Sequence, residues 1–338
     1  MLDLATGAKR VAMTKAGAGP VHWSGDGKLV SSGGRIAGGR SLPTHELVWA
    51  PTGERAAYVT RLGGIVVWSA SGGRRVAPDG WGATSLAWSA NGRLAVGRAL
   101  FGPPPHAQSI WVWDGRTLRR TLALKPSGPE PYPVAWLGSR VVWWAYPDSA
   151  SIAADGVFLY ANRDRIGSSL MFPDFVVPCG SGLAVADGGD RYSTHGKTIV
   201  AGGRDVSRDT TRSWVSPSCS ADGSTVVAAA GPNVEEMRFG QEHRAIWRLL
   251  PTRKQLTRPP AGWTDESPRV LPDGSVLFVR TRQTSTPRKV TTHATLELLA
   301  AGKLKAVADL GYTAGAMSAL GNTNYYGHYG WPSLLAVS

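Results

Sequence analysis

The residues best suited to chemistry in this sequence are cations gathered near long polar stretches. Four such stretches stand out: FGPPPHAQS (101–109), PDSASIAADG (147–156), GPNVEEMRFGQEHR (231–244) and QTSTPRKVTTHA (283–294). With the residues flanking them they carry Arg98, His106, Arg238, His243, Arg280 and Arg288, joined by Arg244, Arg282 and Lys289, against Glu235, Glu236 and Glu242. A guanidinium offers a planar fork of N–H donors that matches carboxylate and phosphate oxygens. The set is therefore suited to gripping an acidic group, whether on a small ligand or on a protein or peptide.

Catalytic wording is sparse. The sequence has no G-x-S-x-G, no H-E-x-x-H, no P-loop and no run of calcium-binding acids. Its seven histidines are dispersed, with no pair at metal-ligand spacing, and the stretch HEL at His45 begins a strand rather than a zinc-binding helix. No catalytic residue, metal site or cofactor is assigned. The DGGD at 187–190 reads as a hairpin turn, and the aromatic TNYYGHYGW at 323–331 as packing between sheets.

The elements that must position the cations are announced by a repeat. VHWSGDGKLV, LVWAPTGERAAYV, LAWSANGRLAVG, VAWLGSRVVWW, VPCGSGLAVA, PSCSADGSTVV, PRVLPDGSVLFV and GAMSALGNTNYY share one form. Each has a short apolar strand, an anchor residue, a polar turn that usually contains Gly, and a second apolar strand. Asp-Gly or Asn-Gly accepts the positive φ of a tight hairpin. The anchors are Trp23, Trp49, Trp88, Trp136, Cys179, Cys219, Leu271 and Met317, spaced 26, 39, 48, 43, 40, 52 and 46 residues apart. A further strand pair follows each hairpin, for example SIWVWDGRTLRRTLAL after Trp88. Four strands in roughly 40 to 45 residues is the period of a propeller blade.

The expectation is an all-β chain forming a single β-propeller domain over residues 1–338, with mostly four-stranded antiparallel blades. Eight anchors predict eight radial positions, the blade after Trp23 being abbreviated to two or three strands; seven blades is the alternative. The stretch MLDLATGAKRVAM reads as an outermost strand and the C-terminal residues near 333–338 as its neighbour, so strands from both termini would share one blade and close the ring. In that arrangement the long polar stretches are connections between the second and third strands, and all emerge at one mouth of the central channel. Insertions collected on one face of a repeat array mark the working surface.

Cys179 and Cys219 occupy equivalent anchors in consecutive blades. Equivalent residues of radial sheets point the same way around a ring, so the geometry favours two buried free thiols filling a narrow gap. A disulfide is the alternative, through a register shift at Pro178 and Gly180.

The phrases PVHWSGDGKLV, LAWSANGRLAVG and PRVLPDGSVLFVRTR resemble those of the TolB-like, or PD40, branch of the WD40-like propellers, and the resemblance extends over nearly the whole chain. It implies the fold and leaves the activity open, because propellers carry unrelated functions. Exported proteins are common among TolB-like relatives, so the resemblance leans towards an extracytoplasmic location, with a leader removed ahead of Met1. The leading function is a non-enzymatic binding module for a protein, peptide or small acidic ligand at the loop-rich channel mouth. The alternatives are a hydrolase or lyase assembled at the same mouth, and polyanion, nucleic-acid or glycan binding driven by the net charge of +13. No apolar run reaches the length of a membrane-spanning helix.

Overall fold

The structure, a computed structural model, describes all residues except 1–2, 5–7, 9–10, 12, 14–19, 45–46, 101–107, 126–128, 147–156, 173, 189–191, 235–242, 287–288 and 316–338; of 284–286, 289–290 and 312–315 it describes the backbone. Among the described residues there are seven four-stranded sheets, each antiparallel with its strands in sequence order. This is the β-propeller pattern, here numbered blades 1 to 7 with strands A to D in chain order. The chain divides into two compact units. The first (Met1–Ala150 with Phe158–Ile166) carries blades 1 to 4 as far as the start of strand D of blade 4, and the second (Gly167–Leu334) carries blades 5 to 7.

Seven sheets answer to seven of the eight anchors. Trp23, Trp49, Trp88, Cys179 and Cys219 each end a strand A, Trp136 is the last residue but one of another, and Leu271 directly follows one. The eight-position count is therefore corrected to seven. Met317, which supplied the eighth position, lies outside the described residues, as do the TNYYGHYGW stretch and the C-terminal strand of the proposed ring closure. The short step from Trp23 to Trp49 is not a defective blade. It holds four strands of two or three residues each, between Val21 and Ser41.

The repeat phrase folds as it does because the serine after the anchor wires the turn. Ser24 Oγ donates to Asp26 Oδ1 at 2.6 Å and accepts from Leu29 N–H at 2.9 Å. Ser89 does the same with Asn91 and Arg93, at 2.6 and 2.8 Å. Gly27 and Gly92 follow at φ +70° and +77°, a conformation costly for any residue with a Cβ. Strand B is covered on both faces by neighbouring blades, so it reads as an apolar run: VVAAAG in blade 6 is buried throughout. Strand D is the exposed edge and is polar, as in GGRRVA and LRRTLA.

The anchors join successive blades. Trp88 Nε1 donates to the Val48 carbonyl at 2.8 Å, and Trp136 Nε1 to that of Ala87 at 2.9 Å. In each case the acceptor is the residue just before the preceding anchor. Arg55 and Arg93 lie over the two indoles, 4.9 and 4.7 Å from the ring centroids. In the second unit the same reach ends in sulfur. Cys179 and Cys219 are joined by a disulfide, with Cα atoms 5.2 Å apart, and both are partly buried against the core around Trp214. The expectation of free, buried thiols is thus corrected. The facing argument applies within a strand, but an anchor stands at the strand's end and reaches back to the previous blade. The hairpin turns of blades 5 and 6 also nest closely: Gly180, at φ +57°, lies against the backbone of Asp222 and Gly223.

A second correction concerns 283–294. It is not a loop. Strands B (Val276–Thr286) and C (Lys289–Ala300) of blade 7 run through it as a long hairpin in continuous register, from Val276↔Leu299 to Thr286↔Lys289. Threonines in and beside this stretch (Thr281, Thr284, Thr286 and Thr291, Thr292, Thr295) supply β propensity that a polar composition conceals.

Candidate functional site

Each unit holds a charged group at the blade ends where strand B leaves and strand A begins, the level from which the B–C connections depart. In the first unit the group is built around Arg98, near the end of strand B of blade 3 (Leu94–Ala99). The connection leading into this blade folds back on it: Ala99 N–H donates to the Gly82 carbonyl at 2.9 Å, and Gly82 sits at φ +85° where a Cβ would collide with the Ala99 carbonyl. This places Trp81 over Arg98. The guanidinium lies 4.9 Å from the Trp81 ring and 6.0 Å from that of Trp111, and its Nε donates to the Trp81 carbonyl at 2.8 Å. The two indoles meet edge to face at 5.4 Å, and Trp111 Nε1 is fixed by Ser109 Oγ at 2.8 Å. All three of Trp81, Arg98 and Trp111 are half-buried.

The charge of Arg98 is unusual in its surroundings. Among the described residues it has no ion pair, and its terminal nitrogens make no hydrogen bond. Burial, and secondarily the charge of Arg120, hold its pKa below the ordinary arginine value. Such a cation, held rigid by its Nε and by two rings, offers its fork to an acidic group and two aromatic edges to whatever bears that group.

In the second unit the charges are matched internally. Arg244 and Glu266 pair at 3.0 Å with exposures of 1% and 0%, Arg244 also donating to Ser193 Oγ at 3.1 Å. Thr264 ties the pair to the backbone: its Oγ1 accepts from Arg244 N–H and donates to Glu266, both at 3.0 Å. Beside them Arg280 grips Asp265 with two parallel bonds, Nε to Oδ1 at 2.7 Å and Nη2 to Oδ2 at 2.9 Å. Burial works against the Arg280 charge, but the Asp265 carboxylate outweighs it and raises its pKa. Lys197, fully buried, donates to the His195 carbonyl at 3.3 Å. These groups lock the ends of blades 5, 6 and 7 together in a low-dielectric setting.

The structure therefore places the six sequence-derived ligand residues in different situations. Arg98 lies in the Trp81–Trp111 group of the first unit. Arg280 is committed to Asp265, and His243 is exposed at φ +44°, next in sequence to the buried Arg244. His106, Arg238 and Arg288 lie outside the described residues. Sequence reasoning passed over Trp81, Trp111, Asp265 and Glu266. The signal for the carboxylates was TDES (264–267), two adjacent acids within a strand A, which no other blade has; for Trp111 it was the alternation in SIWVW, which sets it on one face with Trp113.

No protein-family model matches the chain, and no curated protein matches it in sequence. Likenesses appear among solved structures. A putative TolB from Agrobacterium tumefaciens is similar over 98% of this chain and 93% of its own, at 14% identity and a TM-score of 0.40. A eukaryotic initiation factor is similar over 93% and 82%, at 13% identity and a TM-score of 0.50. The acylaminoacyl peptidase of Pyrococcus horikoshii is similar over 83% of this chain and 47% of its own, at 13% identity and a TM-score of 0.45. TolB proteins are thus among the structures the chain is similar to, as the repeat phrases lead one to expect. The likenesses bear on the fold alone. No helix among the described residues is long and apolar enough to cross a membrane.

Proposed function

We propose that this protein is a non-enzymatic binding module that recognises an acidic group at the blade ends where the B–C connections leave. The observation that carries the reading is Arg98: a half-buried guanidinium without a carboxylate partner among the described residues, held between Trp81 and Trp111. Burying a cation without a counter-ion is costly, and an incoming anion would remove that cost while its apolar part covers the indoles. Preorganisation by the Trp81 carbonyl supports the reading further, since the fork would lose little freedom on binding.

The test is titration of the protein with phenyl phosphate, followed through tryptophan emission, because two indoles flank the proposed site. Arg98→Gln should abolish the emission change, and Arg98→Lys should retain a weaker one because charge persists without the fork. If Arg98→Gln responds like the parent, or the parent shows no saturable response, the reading fails. Comparing the two variants keeps the test informative even if the glutamine variant is less stable.

A further inference from the structure

The cationic character of the first unit does not stop at Arg98. Arg120, on strand D of blade 3 (Leu118–Ala123), is paired in register with Trp111 on strand C, so it stands on the same side of the blade as the Arg98 group. Further along the same edge are Arg116, in the turn before strand D, and Arg119 and Lys125, all exposed. Blade 2 contributes Arg74 and Arg75 from its own strand D (Gly72–Ala77). Arg74 bridges the two blades: its Nη1 and Nη2 donate to the carbonyls of Gly115 and Arg116, both at 3.2 Å. The edges of blades 2 and 3 therefore form one surface at this point.

Anions are nearly absent from it. Between Ser69 and Lys125 the sequence contains two carboxylates, Asp79 and Asp114. Both are spent locally. Asp79 pairs with Arg75 at 2.9 Å and accepts from Thr60 Oγ1 at 2.6 Å. Asp114 accepts from the N–H groups of Arg116 and Thr117, each at 2.8 Å. Blade 4 makes the contrast, since its edge residue Asp164 answers Arg140 and its Arg165 lies over Phe158. A strand of six residues spans on the order of 20 Å, so the stripe from Arg98 through Arg120 to Arg116 is long enough to meet several charges in a row.

Resting on the anion reading of Arg98, we propose that the ligand is a linear phosphodiester polymer, whose backbone tracks the stripe Arg98–Arg120–Arg116–Arg74 and one of whose flat groups packs at Trp81 and Trp111. A positive groove that follows a backbone, with aromatic side chains beside it, is the arrangement that binds single-stranded polyanions without sequence preference. Arginine forks outnumber lysines along it, which suits phosphate oxygens. Charges on an edge strand also deter sheet-to-sheet pairing, and that role by itself requires no ligand.

The experiment uses the full chain and a fluorescein-labelled oligothymidylate of fifteen nucleotides, with binding followed by anisotropy over a salt series. The parent should bind with an affinity that falls linearly in log–log form as salt rises. The variant Arg116→Ser/Arg119→Ser/Arg120→Ser should bind at least tenfold more weakly, with a salt slope smaller by about 2, while it still gives a saturable response to phenyl phosphate. Arg74 is left intact in that variant because its bonds join the blades. If the triple variant binds the oligonucleotide like the parent, the stripe proposal is overturned while the Arg98 reading stands. If phenyl phosphate binding survives Arg98→Gln, the underlying reading fails instead. A sulfated glycan that binds as tightly as the oligonucleotide, with the same slope, would overturn the assignment to phosphodiesters.

Discussion

Charged residues in this protein divide by what surrounds them. Arg98 rests against indoles and a carbonyl, whereas Arg244 and Arg280 are matched to Glu266 and Asp265 inside the second unit. The two environments predict opposite behaviour on mutation. Changing Glu266 to Ala takes the paired carboxylate from Arg244, a buried cation with 1% exposure, and a change of this kind costs about 3 to 5 kcal/mol. Thermal or denaturant unfolding should show that loss, and Arg244→Met with Glu266→Leu should recover most of it, because removing both charges removes the desolvation penalty. A drop below about 1 kcal/mol for Glu266→Ala would show that water reaches the pair. Arg98 was legible in the sequence because it flanks a long polar stretch; its partners were not, because Trp81 is brought to it by the back-folding of Gly82 onto Ala99 and Trp111 by the pairing of strands B and C.

The hairpin and the turn are the elements the sequence specified most completely. Serine, then Asp or Asn, then Gly, is a set of local hydrogen bonds written in order, and the structure forms them at Ser24, Ser89 and Ser220 alike. Turn carboxylates carry a pH dependence. Asp114 is held at about 2 by the backbone N–H groups of Thr117 and Arg116, and Asp222 at about 2 by Ser220 and Ser224. A carboxyl whose folded value lies below its unfolded value contributes stability that is complete above the unfolded pKa and fades as pH falls through the folded one. The contribution from these turns should therefore be full above roughly pH 4 to 5 and decline towards pH 2. Replacing both Asp114 and Asp222 by Asn should flatten the acid limb of a melting-temperature profile measured from pH 5 to pH 2; an unchanged limb would assign acid sensitivity elsewhere. The long hairpin of blade 7 was the element misjudged, since a polar, proline-containing stretch carries turn signals that cross-strand pairing overrode.

At the scale of the whole molecule, the disulfide is a covalent constraint that the chain places on itself within the second unit. It closes a segment of 40 residues, from the first strand of blade 5 to the first strand of blade 6. A loop of that length restricts the unfolded chain by an amount worth about 4 kcal/mol in the chain-entropy model. The variant Cys179→Ser/Cys219→Ser should unfold at markedly lower denaturant, with an increased m-value as the unfolded state expands. Alkylation of the denatured, unreduced parent should add nothing to its mass; two additions would show that the thiols are free.

What the sequence determined alone is what depends on neighbours in the chain: strand length and alternation, the Ser–Asp–Gly turns, and hence the β-propeller blade and its period. These follow from local hydrogen bonding and from burial on one or both faces of a strand, and both are written within a dozen residues. What the tertiary structure decided depends on residues some forty positions apart, one blade from the next. It made the count seven, and it brought Cys219 to Cys179, although the sequence set them in equivalent repeats. At shorter range, within single blades, strand pairing and a back-folded connection gave Arg280 a partner in Asp265 and left Arg98 between two indoles. The reason is that a repeat fixes which way each side chain points within its own sheet, whereas its partner is set by the end of the neighbouring sheet, whose turns approach as closely as their glycines allow.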